Sequence, residues 1–175
     1  MNKILLSVFL LIAIFSTCTT YAQKKDGIAP TPITATITAS GTVLSPMSIT
    51  STRDLLFGTD ILPGIRRTID KSSNSSGKFS IMGQPGKEIS ITITSPGSLT
   101  FGANTLPLAF TETDAGYKLP GETMVDFDPA NTATAVFGND GTMDIFLGGT
   151  VVPDFSQVAG NYTGNITVVF YYTGN

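Results

Sequence analysis

Glycine and proline break this chain at intervals of about 8–12 residues, and that spacing constrains the fold more than any other feature. All 18 Gly and 10 Pro lie after residue 22. Between the breaks the residues alternate with period two, and no window carries a helical stripe. The runs are ITATITAS (33–40), TVLSPMSITS (42–51), LLFG (55–58), IRRTID (65–70), KFSIMG (78–83) and EISITIT (88–94). LTFG (99–102), LPLAFTET (106–113), TMVDFD (123–128), TATAVF (132–137) and TMDIFLGGTVV (142–152) follow, before a last strand within 160–175. Thr, Ile, Val and Phe dominate them, and such side chains fit a pleated, half-buried surface.

Ser95-Pro96-Gly97 and Gln84-Pro85-Gly86 are turn chemistry, and KSSNSSG (71–77) reads as a flexible loop. Asn139-Asp140-Gly141 predicts a tight hairpin joining TATAVF to TMDIFL. About ten short strands with regular turns predict an all-β, immunoglobulin-like antiparallel sandwich in a single domain. Leu55-x-Phe57-Gly58-x3-Leu62-Pro63 recurs as Leu99-x-Phe101-Gly102-x3-Leu106-Pro107. Two short strands ending in similar turns account for that echo without a duplication.

Residues 1–22 read as a signal peptide. Lys3 supplies the positive end and ILLSVFLLIAIFS (4–16) the apolar stretch, while Thr20-Tyr21-Ala22 places small residues before a cut at Gln23. The stretch is too short to span a bilayer. Cys18 offers a competing site for a lipid anchor, but Phe15-Ser16-Thr17 suits that pattern poorly. Export to the periplasm, cell surface or medium is the expectation. Residues 23–32 then form a short flexible linker, and 33–175 the sandwich domain. Cys18 is the only cysteine of the chain, so its core is expected to hold by packing rather than by disulfides.

Without Lys3, nine basic residues face 13 acidic ones, a net charge near −4. Only Lys24-Lys25 and Arg66-Arg67 place basic residues side by side, which is no nucleic-acid footprint. With no His and no Cys beyond the signal, the chain has no Ser-His-Asp or Cys-His nucleophile and no His/Cys metal site. No catalytic residue, cofactor or metal ligand is expected, and the chain does not read as an enzyme. Asp126 and Asp128, with Glu122 nearby, are the one carboxylate pair that glycoside chemistry could use. Alternation instead turns Val125 and Phe127 to the core and the acids to water. Asp126, Asp128 and Asn131, or Asn139, Asp140 and Asp144, are weak candidates for calcium, since neither has the spacing of a dedicated loop.

The end of the chain is the most patterned part. Gly160-x-Tyr162-x-Gly164 precedes Ile166, Val168, Phe170 and Tyr172, which share one face. Val169 and Tyr171 make the other face apolar too, so the reading is a covered, central strand paired within its own domain. The glycines permit a tight entry, and the Tyr162 hydroxyl is placed to bond a backbone carbonyl as a tyrosine corner does. These motifs, with ATITASGTVLSPMSI, Gly77-Lys78-Phe79-Ser80-Ile81-Met82-Gly83 and Leu147-Gly148-Gly149-Thr150-Val151, resemble a bacterial exported family, domain of unknown function 4402. The resemblance covers nearly all of 33–173. It implies a secreted or surface protein with a sandwich akin to fimbrial major subunits, and it assigns no catalytic residue.

Two functions compete. One is a structural, fimbrial-like subunit or adhesion-layer component that associates with itself or with another surface subunit by strand pairing. For that role residues 23–32 are a poor donor strand, being charged and proline-bearing. ITATITAS could serve instead if TVLSPMSITS supplies the domain's first strand. The other is a self-contained secreted module that binds a glycan or a surface protein. The lack of Trp makes a stacking glycan site less favoured, and no small-molecule ligand is specified.

Overall fold

A computed structural model describes residues 34–174. The signal-peptide and linker readings, and Cys18, fall outside these residues. Two compact units divide the chain, Met1–Thr42 and Val43–Asn175. In the first, Thr34–Thr42 form no strand or turn, and Ile37 is 97% exposed.

The second unit holds twelve strands among the described residues: β1 (Ser48–Arg53), β2 (Arg67–Ile69), β3 (Gly77–Met82), β4 (Glu88–Thr94), β5 (Ser98–Phe101) and β6 (Asn104–Ala109). After them come β7 (Ala115–Lys118), β8 (Val125–Phe127), β9 (Ala133–Val136), β10 (Thr142–Leu147), β11 (Gly149–Val151) and β12 (Thr167–Tyr172). They make three antiparallel sheets in the orders β1-β3-β10-β7-β8, β2-β11-β6-β5 and β12-β4-β9. The described fold is an all-β antiparallel sandwich.

Alternation builds the core. Ile81 of β3 with Met143 and Ile145 of β10 meets Ile89 and Ile91 of β4 and Ala135 of β9, so two sheets close on one apolar layer. Val168, Phe170 and Tyr172 of β12 lie against it. A second cluster joins Ile69, Leu106, Leu108 and Val151 to Phe57, with Tyr162 and Ile166 at its border. Between the two clusters the run 142–152 is not one strand. It bends at Gly148, where an added Cβ would overlap the Ile69 carbonyl oxygen and come within 2.7 Å of the Lys71 nitrogen. Glycine lets two backbones meet there, and the chain passes from the five-stranded sheet into the four-stranded one.

Several expectations are corrected. ITATITAS is not a strand over Thr34–Ser40, and the first strand starts at Ser48; an alternating segment with no ladder partner has no reason to hold extended form. LLFG forms no strand either: Leu55 and Phe57 face the second cluster, but the backbone turns away at Gly58, with φ 92°. Asn139-Asp140-Gly141 is not a hairpin. β9 pairs with β4 and β10 with β3 and β7, so this turn carries the chain from one sheet to the other. Turn chemistry fixes the reversal but not the partner, and Ala135 and Met143 reach the same core from opposite layers.

KSSNSSG is pinned rather than free: Arg53 donates from Nε to the Ser76 carbonyl at 2.6 Å and from Nη2 to Ser76 Oγ at 2.7 Å. Finally, β12 is paired at home but is not central, because β4 is its one neighbour in the sheet.

Candidate functional site

The tail motif has a defined geometry. Tyr162 Oη donates to the Val158 carbonyl at 2.7 Å and accepts from Gln157 Nε2 at 2.7 Å. Its ring lies 5.8 Å from that of Phe101, tilted by 58°. Neither Gly160 nor Gly164 has a positive φ. Their role is proximity: a Cβ at Gly160 would overlap the Phe101 ring, and one at Gly164 would meet Leu99 Cδ2 at 2.9 Å. Thr163 bridges to Thr100 of β5, so the segment ahead of β12 is already stitched to the sandwich. Ile166 then packs on the second cluster, while Val168, Phe170 and Tyr172 pack on the first. Tyr172 Oη accepts from the Gln84 nitrogen at 2.7 Å and donates to the Ser45 carbonyl at 2.9 Å, which ties the end of β12 to the approach to β1.

The acidic candidates are dispersed by their own hydrogen bonds. Asp126 pairs with Lys71 at 3.2 Å. Asp128 holds a turn, accepting from the Ala130 nitrogen and from Asn131 Nδ2. Phe127 packs on the core, but Val125 at the sheet edge is exposed. Asp140 accepts from the Thr142 nitrogen, and this bond holds its carboxyl below the ordinary aspartate value. Asp144 pairs with Lys78 at 2.8 Å and accepts from Ser80 Oγ at 2.6 Å. Among the described residues no three acidic, His or Cys side chains are placed to hold a metal ion. No helix among the described residues is long and apolar enough to cross a membrane.

Two features escape a reading of the sequence. One is a cleft of about 400 Å³ lined by Tyr117, Leu119, Glu122, Val125 and Val136, where β7 and β8 of one sheet face β9 of the other. The other is the open side of the sandwich at β1 and β12. Ile49 stands opposite Ile81 in the β1–β3 ladder, so both side chains point to the core. Ile81 is 1% exposed and Ile49 44%. Ile49 is the one apolar residue of β1 (SITSTR), and its register shows that it points inward and is left uncovered. Across the gap, Phe170 stands opposite buried Ile91 and is itself half-buried. No family model matches the chain, and no curated protein matches it.

Proposed function

We propose that this chain is an exported, non-enzymatic structural subunit of a bacterial surface assembly, fimbrial-like in kind. The observation that carries the reading is the pair of unpaired sheet edges, β1 and β12, which Tyr172 links on one side of the sandwich. An edge strand is a template for another chain unless it is blunted. β1 is blunted by a bulge between Ser51 and Arg53 and by the Arg53 charge, but β12 contains no charge, no proline and no glycine. The resemblance to the exported family and the signal-like residues 1–22 support the same reading. Antibody labelling of intact producing cells, with the mass of the released material, tests it. Surface-held polymers are expected; a chain confined to the cytoplasm, or one monomeric in the medium at all concentrations, would overturn it.

The cleft between β7–β8 and β9 favours a second reading, a self-contained secreted binding module. In that case the purified chain is a monomer, and substitutions at Tyr117 rather than at β1 or β12 abolish attachment to its target.

A further inference from the structure

We propose that the cleft between β7–β8 and β9 binds an organic cation, a protonated amine carried on an apolar body. The inference rests on the binding-module reading and names the class of ligand that its cleft takes.

The cleft exists because two layers do not close there. β8 is the last strand of the five-stranded sheet, and β9 is the last of the three-stranded one. Val125 stands opposite Tyr117, and Tyr117 opposite Ile145, so the three side chains share the inward face. Ile145 is wholly buried, yet Val125 is 46% exposed. On the facing wall Val136 is 48% exposed, next to buried Ala135. Apolar surface is thus open to water inside a concavity of about 400 Å³, within the roughly 300–1,000 Å³ of small-molecule sites.

The polar groups of the cleft select the charge of its occupant. Glu88 and Glu122 line it, and among the described residues no Lys or Arg does. Lys118 follows Tyr117 in β7 but stands opposite Asp144, so it turns to the outer face. Neighbouring acids are paired with cations, Asp126 with Lys71 and Asp144 with Lys78. Glu122 has no such partner among the described residues. A turn closed by its own N–H on the Leu119 carbonyl, at 3.1 Å, holds it at the rim. Glu88 accepts from Thr173 Oγ1 at 2.7 Å and adds a second negative charge. Tyr117 supplies a further acceptor. The hydroxyls of Tyr162 and Tyr172 each make two hydrogen bonds, whereas that of Tyr117 makes none among the described residues. An ammonium group brings three donors and no acceptor, which suits a site made of carboxylates and hydroxyls. The Tyr117 ring attracts the same charge through its face. An anion would meet two carboxylates, and a neutral ligand would shield them from water without pairing them.

The test titrates phenethylamine into the purified, isotope-labelled chain near neutral pH, where such an amine is protonated as a lysine is. Saturable NMR shifts are expected at the Val125 and Val136 methyls and in the Tyr117 ring. Phenethyl alcohol, the neutral match in shape, is expected to bind more weakly. Glu122→Gln, at an exposed residue that the core does not need, is expected to weaken the amine by about fivefold, the upper range for a solvent-exposed ion pair. Equal binding of amine and alcohol overturns the proposal. So do shifts that miss these three residues, or a Glu122→Gln chain that binds the amine unchanged. The blocked dipeptide N-acetyl-phenylalanyl-lysinamide separates the sources of the cation. Tighter binding than the free amine assigns the cleft to a lysine of a partner protein, and weaker binding to a free amine. Amine binding in the cleft, with target attachment intact in Tyr117 variants, would count against the module reading and leave this inference standing. Attachment lost in those variants, with no amine binding, would do the reverse.

Discussion

Arg53 and Ser76 close the base of a serine-rich loop: the guanidinium reaches both the carbonyl and the hydroxyl of Ser76, a residue wholly buried. Ser76 Oγ in turn donates a hydrogen bond to the Ser73 carbonyl at 2.8 Å. Removing the guanidinium leaves a buried carbonyl without its charged donor, and hydrogen bonds to charged groups are worth about 1.5–3 kcal/mol. Arg53→Met keeps the apolar stem and is expected to lower stability by about 2 kcal/mol in urea unfolding. An unchanged midpoint would mean that the loop is held elsewhere.

At Gly148 the expected cost arises from backbone contact. A methyl there has no flexible neighbour to push aside, because the Ile69 carbonyl and the Lys71 nitrogen are main chain. Gly148→Ala is expected to cost about 3 kcal/mol or more, the upper end of overpacking penalties. Gly86→Ala is the control: its φ is 70° and nothing lies within 4 Å of the added carbon. Only left-handed strain acts there, about 1–2 kcal/mol. If the two variants melt together, the bend at Gly148 does not depend on close approach.

The contrast between these glycines shows what the sequence could and could not convey. EISITIT and TMDIFL announce β4 and β10 because Ile89, Ile91, Met143 and Ile145 alternate with polar neighbours and are buried. The Tyr162 bond to a backbone carbonyl is likewise a local matter, spanning four residues. Partner choice is not local. Nothing between Phe137 and Thr142 says that the two strands join different sheets. Ala115-Gly116-Tyr117-Lys118 shows no alternation of large apolar residues, and β7 is a strand because Ala115 and Gly116 are small enough to pack buried. The apolar character of both β12 faces suggests a central strand, yet Tyr171 is 66% exposed and β4 is the one neighbour. Position in a sheet depends on which other strands are left over.

Tyr162 links the tail motif to stability. Tyr162→Phe deletes the bonds to Val158 and Gln157 while keeping the ring against Phe101. The expected loss is about 1 kcal/mol, the net worth of such bonds near the surface. Tyr162→Ala also removes ring contact and is expected to cost about 3 kcal/mol or more. Equal losses in the two variants, read from thermal midpoints, would show that the hydroxyl contributes and the ring does not.

The acid side of the stability profile follows from three turn aspartates. Asp70 is held below its ordinary value first by the Ser72 hydroxyl and then by the Ser72 backbone N–H. For Asp140 and Asp154 the leading cause is a backbone N–H, from Thr142 and Ser156 respectively. A carboxyl whose folded pKa is depressed binds its proton more readily in the unfolded chain. Its contribution is therefore complete above the ordinary aspartate value of about 3.9 and fades as pH falls through the lower folded values. With no histidine in the chain, no imidazole titrates between pH 5 and 8. The thermal midpoint is thus expected to be level from about pH 8 to pH 5 and to drop below about pH 4. Ser72→Ala, which removes the largest cause at Asp70, should lower the midpoint at pH 7 and shrink the difference from wild type at pH 2.5. A wild-type profile that already falls between pH 7 and pH 5 would contradict the assignment, since none of these three groups titrates there.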